Sequence, residues 1–258
     1  VSDSTELAEA FFQAFYAKKW SIKGTSVDSL SVLESYQIQD LVCQKRIEAG
    51  ERVVGYKVGC TSHAIRSQFG ITEPISARLF APHVQSEAVP IDWRTYANCA
   101  IEPEMVFTMG SDLFGKDFSD KELIGAIDYV SPGIELHNYK FWHHPPSLQE
   151  LICSGGIHAG LILGNQQVSP QALNFKHEVF SVYQNQKLIT SAPASEIMGG
   201  PLESLRWLVN ALTCSGESLK RGSIVIPGSP TELIAIDHDS DIQVVIEHLG
   251  QVSARFSS

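Results

Sequence analysis

Two glutamates, Glu102 and Glu104, stand two residues apart in the run IEPEMVF at 101–107. That run reads as a strand, where residues i and i+2 project from one face, ~7 Å apart along the chain. A third acid, Glu135, closes the strand-like run SPGIE. Three carboxylates converging inside a β structure repel one another unless a cation neutralises them, and all-oxygen ligation suits Mg2+ or Mn2+ better than zinc. The same pattern also fits an ordinary strand whose acids face solvent. Lys57 is the next candidate, set in VVGYKVG between glycines that let a ligand or another backbone approach. So apolar a setting leaves two readings. The ammonium snorkels to the surface, or it stands in a cleft where burial and neighbouring charge tune it for proton transfer.

Weaker signals lie elsewhere. The segment Ile226-Pro227-Gly228-Ser229-Pro230-Thr231 follows a strand-like run, and its amides and hydroxyls can receive an anionic oxygen or form no more than a turn. The histidines, among them His63, His137, His143, His144 and His158, show no HExxH-like spacing and are read as loop residues or satisfied core positions. Ser154-Gly155-Gly156 is not followed by the rest of a phosphate-binding glycine motif, and GxGxxG and Walker sequences are absent, so a nucleotide cofactor has no support.

The elements that must carry these residues follow from periodicity. Asp3-Ser4-Thr5-Glu6 resembles a capping box, and Leu7, Phe11, Ala14, Phe15 and Lys18 recur at helical spacing as far as Lys19. A second helix is expected over 29–49, with Gly50 placed to end it. From Arg52 the pattern turns to short β-branched runs at 52–59, 101–108, 131–136, 158–164, 178–183, 223–227, 232–236 and 242–248. Two helices interrupt them, one opened by the capping box Ser119-Asp120-Lys121-Glu122 and one by Pro201 ahead of Leu202, Leu205, Leu208, Val209 and Leu212. Long connections are expected at 61–100 and 138–156. This divides the chain into a helical N-terminal region, 1–50, and a β-rich catalytic domain, 51–258.

The chain has 258 residues, 29 acidic and 19 basic, for a net charge of −10, which argues against a nucleic-acid partner. No apolar run approaches the ~20 residues of a membrane-spanning helix. Five cysteines, widely spaced and without CxxC, read as reduced core residues and favour the cytoplasm. The opening VSDSTELAEAFF shows no secretory signal.

Taken in order, SYQIQ at 35–39, GYKVGCTS at 55–62, GITEPISARLF at 70–80, IEPEMVF, the strand ending at Glu135, LILGN at 161–165, GGPLESLRWLVNAL at 199–212 and GESLKRGSIVIPGS at 216–229 resemble the fumarylacetoacetate hydrolase superfamily. Within it they resemble the branch of 2-oxopent-4-enoate hydratases and 4-oxalocrotonate decarboxylases. The resemblance implies an α+β fold, with a mixed β-roll or barrel-like core and a helical N-terminal region. It further implies Mg2+ or Mn2+ held by Glu102, Glu104 and Glu135, and a short unsaturated 2-oxo acid as substrate. Lys57 matches the lysine that contacts substrate and handles protons, and Ser229 the hydroxyl residue that helps to hold the substrate carboxylate. Arg78 either meets a second substrate carboxylate or sits on the surface. The expected activity is a lyase, with acylpyruvate-type C–C hydrolysis or an inactive scaffold as alternatives. A homo-oligomer built on dimers is expected, with a paralogous enzyme as a further partner. The chain departs from the family at Ile75, where many hydratases carry an acid, at Ser154-Gly155-Gly156-Ile157 in place of Asp-Asn-Ala-Ser, and at Pro227 in place of serine or threonine. These changes leave the metal triad intact and bear on hydration.

Overall fold

The computed structural model describes residues 4–18, 27–63, 66–67, 70–87, 89–139 and 146–258. Its elements, in chain order, are α1 (Ser4–Ala17), α2 (Val32–Glu48), β1 (Val53–Gly59), β2 (Ile75–Phe80), β3 (Val84–Ser86), β4 (Ile91–Asp92), β5 (Cys99–Met109), α3 (Asp120–Ala126), β6 (Ile127–Asn138), α4 (Leu148–Cys153), β7 (His158–Leu163), β8 (Val179–Gln184), β9 (Lys187–Pro193), α5 (Pro201–Cys214), β10 (Ile224–Ile226), β11 (Ile234–Ala235), β12 (Ser240–Ile246) and β13 (Gly250–Ser257). Among the described residues no helix is long and apolar enough to cross a membrane.

The main sheet runs β2-β1-β10-β5-β6-β7-β3, with β11 added to β5. Its two ends are joined by a very short link. Phe80 ends β2 and Val84 begins β3, a span of at most ~14 Å even fully extended. Laid flat, seven strands would put those edges ~29 Å apart at ~4.8 Å per neighbour. The sheet must therefore curl until its edges approach, which gives the barrel-like core that the family resemblance implied. A second sheet, β4-β13-β12-β8-β9, packs with α5 over the outer face. There Met105, Phe107, Val130, Ile134 and Ile162 meet Phe180, Val244 and Leu205 in the larger apolar core. The inner face of the curl holds only a small apolar floor of Leu79, Val106, Leu161 and Ile226. The rest of that concave face is left for polar groups.

The helices form where local chemistry favours them. Ser31 caps α2 and Ser119 caps α3, each in a reciprocal box with a glutamate three residues on. Pro201 occupies the first turn of α5, whose Leu202, Leu205, Leu208, Val209 and Leu212 are buried. The expected cap at Asp3 and the end at Lys19 lie outside the described residues, and α2 starts at Val32 instead of residue 29.

Some expectations are corrected. The stretch 61–100 is not one long connection, for it contains β2, β3 and β4. Strands of two or three residues such as β3 and β4 are too short to show an alternating pattern. Within 138–156, α4 is opened by a third capping box, Ser147 with Glu150, which interrupts the expected connection. Strands β9 and β13 also lie beyond the expected runs, β9 being an exposed edge of mixed composition. All five cysteines are free, but only Cys43, Cys99 and Cys153 are buried; Cys60 is half-buried and Cys214 exposed.

Candidate active site

Pairing of β5 with β6 sets the site. Glu102 lies directly opposite Glu135, Glu104 opposite Gly133, and Ala100 opposite His137. Directly opposed residues share a face, so the two glutamates of β5 and Glu135 all project into the curl, as does His137, two residues beyond Glu135. The other edge of β5 is split. Strand β10 pairs with residues 107–108 and β11 with residues 100–101, leaving 102–106 without a strand partner on that side. Pro103, which has no N–H to offer a ladder, falls in this gap. The turn after β10 crosses it, and the Gly228 N–H donates to Glu104 Oε2 at 3.1 Å. Gly228 has φ +116, and a Cβ there would stand 2.5 Å from Thr61 Cγ2, so only glycine fits.

Lys57 enters from β1, in register with Ile226 and Ala77. It is 3% exposed, and its Nζ donates to Glu135 Oε1 at 2.5 Å and to Gly156 O at 3.4 Å. The snorkelling reading is thereby overturned: nearby carboxylates make burial of the ammonium tolerable. Gly156 has φ +70, and a Cβ there would lie 3.2 Å from Lys57 Cε. The Ser154-Gly155-Gly156-Ile157 segment thus gives the lysine room, with Gly155, Gly156 and Ile157 all at positive φ.

The charges are unevenly balanced. Burial opposes the Lys57 charge, but Glu135, Glu102 and Glu104 outweigh it and raise its pKa, so it stays an ammonium. Glu135 is drawn well below the ordinary carboxylate range: against burial, it faces His137 and Lys57 and accepts a hydrogen bond from His158. Glu104 goes the other way, pushed well up by burial and by the carboxylates of Glu135 and Glu102. It is 0% exposed, and its Oε1 has no hydrogen-bond partner. A buried carboxyl oxygen without a partner among the described residues, beside two further acids, fits a hard cation. The acids are therefore not a solvent-facing alternation.

The histidines are a second correction. His137 and His158, expected in loops or satisfied positions, are buried at this centre, and each leaves one ring nitrogen without a partner. His158 Nδ1 donates to Glu135 Oε1 at 2.7 Å, and burial takes its pKa down to about 4 against the pull of that carboxylate. His137 Nε2 lies 3.0 Å from Glu102 Oε2 and 3.4 Å from Glu135 Oε2; burial would lower its pKa, but Glu135 and Glu102 raise it. The signal that could have found His137 is Glu-x-His on a strand, which puts both residues on one face. His143 and His144 lie outside the described residues. His63 is exposed.

Ser229 is buried beside this centre, yet its hydroxyl is engaged in its own turn with Thr231. Arg78 stands apart. It pairs with Tyr56, not Lys57, and so points to the opposite face of the sheet. There it donates to Asp40 at 2.6 Å and to Glu217 at 2.9 Å.

No protein-family model matches the chain. It is 25% identical over 255 residues to a 2-keto-4-pentenoate hydratase of Paraburkholderia xenovorans (strain LB400), spanning 98% of this chain and 94% of that protein. It is 26% identical over 249 residues to a 4-oxalocrotonate decarboxylase of a Pseudomonas species, spanning 96% of each. Over nearly its whole length the chain is thus similar to 2-keto-4-pentenoate hydratases and 4-oxalocrotonate decarboxylases. Among solved structures, the 4-oxalocrotonate decarboxylase of Pseudomonas putida G7, complexed with magnesium and adipate, superposes with TM-score 0.92 at 24% identity over 98% of this chain and 97% of that one. Fumarylpyruvate hydrolase of Pseudomonas aeruginosa, complexed with Mn2+ and pyruvate, gives 0.62 at 16% over 78% and 88%. Both likenesses show the fold of this chain.

Proposed function

We propose that the protein is a Mg2+- or Mn2+-dependent lyase that hydrates or decarboxylates a short unsaturated 2-oxo acid. Glu102, Glu104 and Glu135 would hold the ion, and Lys57 would handle protons. The observation that carries this reading is the Glu104 Oε1 atom, without a partner at 0% exposure and on the same face as two further carboxylates. Such an oxygen costs about 1–3 kcal/mol unless something binds it. When bound, the ion would serve as a Lewis acid for the oxygens of a 2-oxo acid, where negative charge builds as the reaction proceeds.

The protein's own groups supply the rest. The carboxylates around Lys57 favour its ammonium form, which suits it to donate a proton. Its Nζ has a proton ready for substrate, and Glu135 Oε1, at 2.5 Å, keeps that nitrogen in place. In the turn at 227–231, Pro227 and Pro230 carry no N–H and the Gly228 and Thr231 amides donate to Glu104 and to Ser229 Oγ, so the Ser229 N–H is the backbone donor the turn would offer a substrate carboxylate. The apolar floor of Leu79, Val106, Leu161 and Ile226 suits a short unsaturated carbon chain. Arg78, committed to Asp40 and Glu217, we assign to the scaffold.

Steady-state assays with 2-hydroxypenta-2,4-dienoate, 4-oxalocrotonate and an acylpyruvate, each with and without Mg2+, test this. Metal-stimulated turnover of either of the first two is expected. Its absence refutes the lyase, acylpyruvate cleavage alone identifies a hydrolase, and no turnover by metal-loaded protein identifies a scaffold. We further infer a cytoplasmic homo-oligomer built on dimers, with a paralogous enzyme as partner. Light scattering of the protein alone and mixed with such an enzyme tests both points.

A further inference from the structure

We propose that His137 is a nitrogen ligand of the divalent ion, so that this centre is a mixed imidazole–carboxylate site that prefers Mn2+ to Mg2+. The proposal rests on the metal reading given above. Its starting point is placement. His137 follows Glu135 by two residues on β6 and therefore lies on the same face, opposite Ala100 and one pleat from the Glu102–Glu135 pair. One donor atom each from Glu102, Glu135 and His137 lie within 4.8 Å of one another. Glu104 falls outside that set, which leaves the imidazole nearer to the other two carboxylates than Glu104 is.

The ring is aimed. Its Nε2 is the nitrogen directed at both acids, 3.0 Å from Glu102 Oε2 and 3.4 Å from Glu135 Oε2. Adjacent donors around one ion at ~2.1 Å lie ~3 Å apart in octahedral geometry, so these separations fit three ligands of a shared cation. A neutral Nε2 lone pair facing two carboxylate oxygens is repelled by both. Something positive must stand between them, a proton in the free protein or a metal ion in the loaded one.

Apart from the contacts of its Nε2 with Glu102 and Glu135, nothing among the described residues holds the ring by a hydrogen bond. It is 2% exposed, and its Nδ1 has no partner. A leucine would fill the volume without the cost of about 1–3 kcal/mol that an unsatisfied buried polar atom carries. A ligand role accounts for retaining that cost.

The consequence is selectivity. Carboxylates suit Mg2+ and Mn2+ alike, whereas a nitrogen ligand is accepted by first-row transition ions, Mn2+ included, more readily than by Mg2+, a hard ion that sheds water reluctantly. One imidazole among carboxylates is therefore expected to tighten Mn2+ relative to Mg2+ by about tenfold or more.

The test uses the full chain, loaded with Mn2+ alone or with Mg2+ alone. Pulsed electron paramagnetic resonance of the bound Mn2+ reads nitrogen coupling directly, and equilibrium dialysis gives both dissociation constants. Nitrogen coupling in the wild type, lost in His137→Gln and kept in His158→Gln, supports the proposal. So does a fall of about tenfold in the Mn2+-over-Mg2+ preference of His137→Gln. Bound Mn2+ without nitrogen coupling overturns it, and that measurement needs only the wild type, so it stands even where a variant fails to fold. Coupling lost in His158→Gln but kept in His137→Gln also overturns it. Failure of the underlying reading looks different: the wild type binds no Mn2+ at all, or Glu104→Gln binds it unchanged.

Discussion

Around Glu51, Arg46 donates from Nε at 2.6 Å, Tyr16 from its hydroxyl at 2.7 Å, and His83 Nε2 lies at 3.1 Å. The Arg46 guanidinium is also stacked between rings, 4.1 Å from the centroid of Phe15 and 3.8 Å from that of Phe80. This knot ties α1, α2 and the end of β2 together, and both oxygens of its one carboxylate are taken. Around Glu135 the proportions are reversed. Three glutamates share one lysine and two histidines, and Glu104 Oε1, Glu135 Oε2, His137 Nδ1 and His158 Nε2 all lack hydrogen-bond partners. Both clusters are built from carboxylates, a cation and histidine, the knot nearer the surface than the site. A satisfied network fixes one structure, whereas an unsatisfied one is costly to the fold and is kept for what it binds. The first is scaffold and the second is site.

Substitutions that exchange stability for activity test this division, and the largest effect is expected at Lys57. Lys57→Met should lower kcat/KM by about 10²–10⁴-fold, the usual range for loss of a positioned acid–base group. The fold should survive, which circular dichroism would check. A variant with near-normal turnover would move the proton chemistry elsewhere. At the knot, Arg46→Met takes the cation from a carboxylate whose side chain is only 9% exposed and leaves its Oε2 without that donor. Removing one partner of a buried pair typically costs about 3–5 kcal/mol, read as a shift in the urea midpoint. Arg46 touches none of the acids of the site, so kcat of the folded fraction should stay within about twofold. A large loss of kcat with unchanged stability would erase the distinction between the clusters.

The knot and the site also differ in how far sequence reveals them. Glu102, Glu104 and Lys57 were legible because strand periodicity alone places i and i+2 on one face, and glycines flanking a lysine announce close approach. The capping box at Ser119 and the proline of α5 were legible for the same local reason. His158 was not, because only strand pairing brings it to the centre, whereas Glu135-x-His137 carried the same i, i+2 signal as Glu102 and Glu104 and was passed over. Arg46 and Glu51 are five residues apart, yet their partners Tyr16, Phe80 and His83 come from distant segments. The curl of the sheet was likewise invisible in periodicity: it follows from β2 and β3 being neighbours in sequence and opposite ends in the sheet.

A smaller effect of opposite sign is expected at Glu104. In metal-free protein, Glu104→Gln removes a buried group that resists ionisation and keeps its shape, so stability near neutral pH should rise by on the order of 1–3 kcal/mol. Saturating Mn2+ should stabilise the wild type but not this variant, because an ion that binds only the folded state adds to its stability. Thermal melts with and without Mn2+ would show both. A metal-free variant less stable than the wild type would mean that Glu104 is structural after all.

The finest discrimination comes from pH, because the two carboxylates are shifted in opposite directions. Burial would raise Glu51, but hydrogen bonds from Arg46 and Tyr16, the Arg46 charge and His83 outweigh it and hold the carboxyl below its ordinary 4.5. A folded pKa below the unfolded one means stability fully present above pH 4.5 and lost as pH falls through the lowered value. The deficit of Glu51→Gln relative to the wild type should therefore be constant above pH 4.5 and shrink below it. Glu104, raised by burial and its acidic neighbours, contributes stability that is present below 4.5 and lost as pH rises toward its folded value. The advantage of metal-free Glu104→Gln should accordingly be absent in acid and grow from pH 4.5 upward. Melting temperatures of the wild type and both variants, followed from pH 3.5 to 8 without metal, would place the two difference curves on opposite sides of 4.5. Curves that moved together would mean that one electrostatic environment governs both clusters, and the contrast between a satisfied knot and a cation-seeking site would not hold.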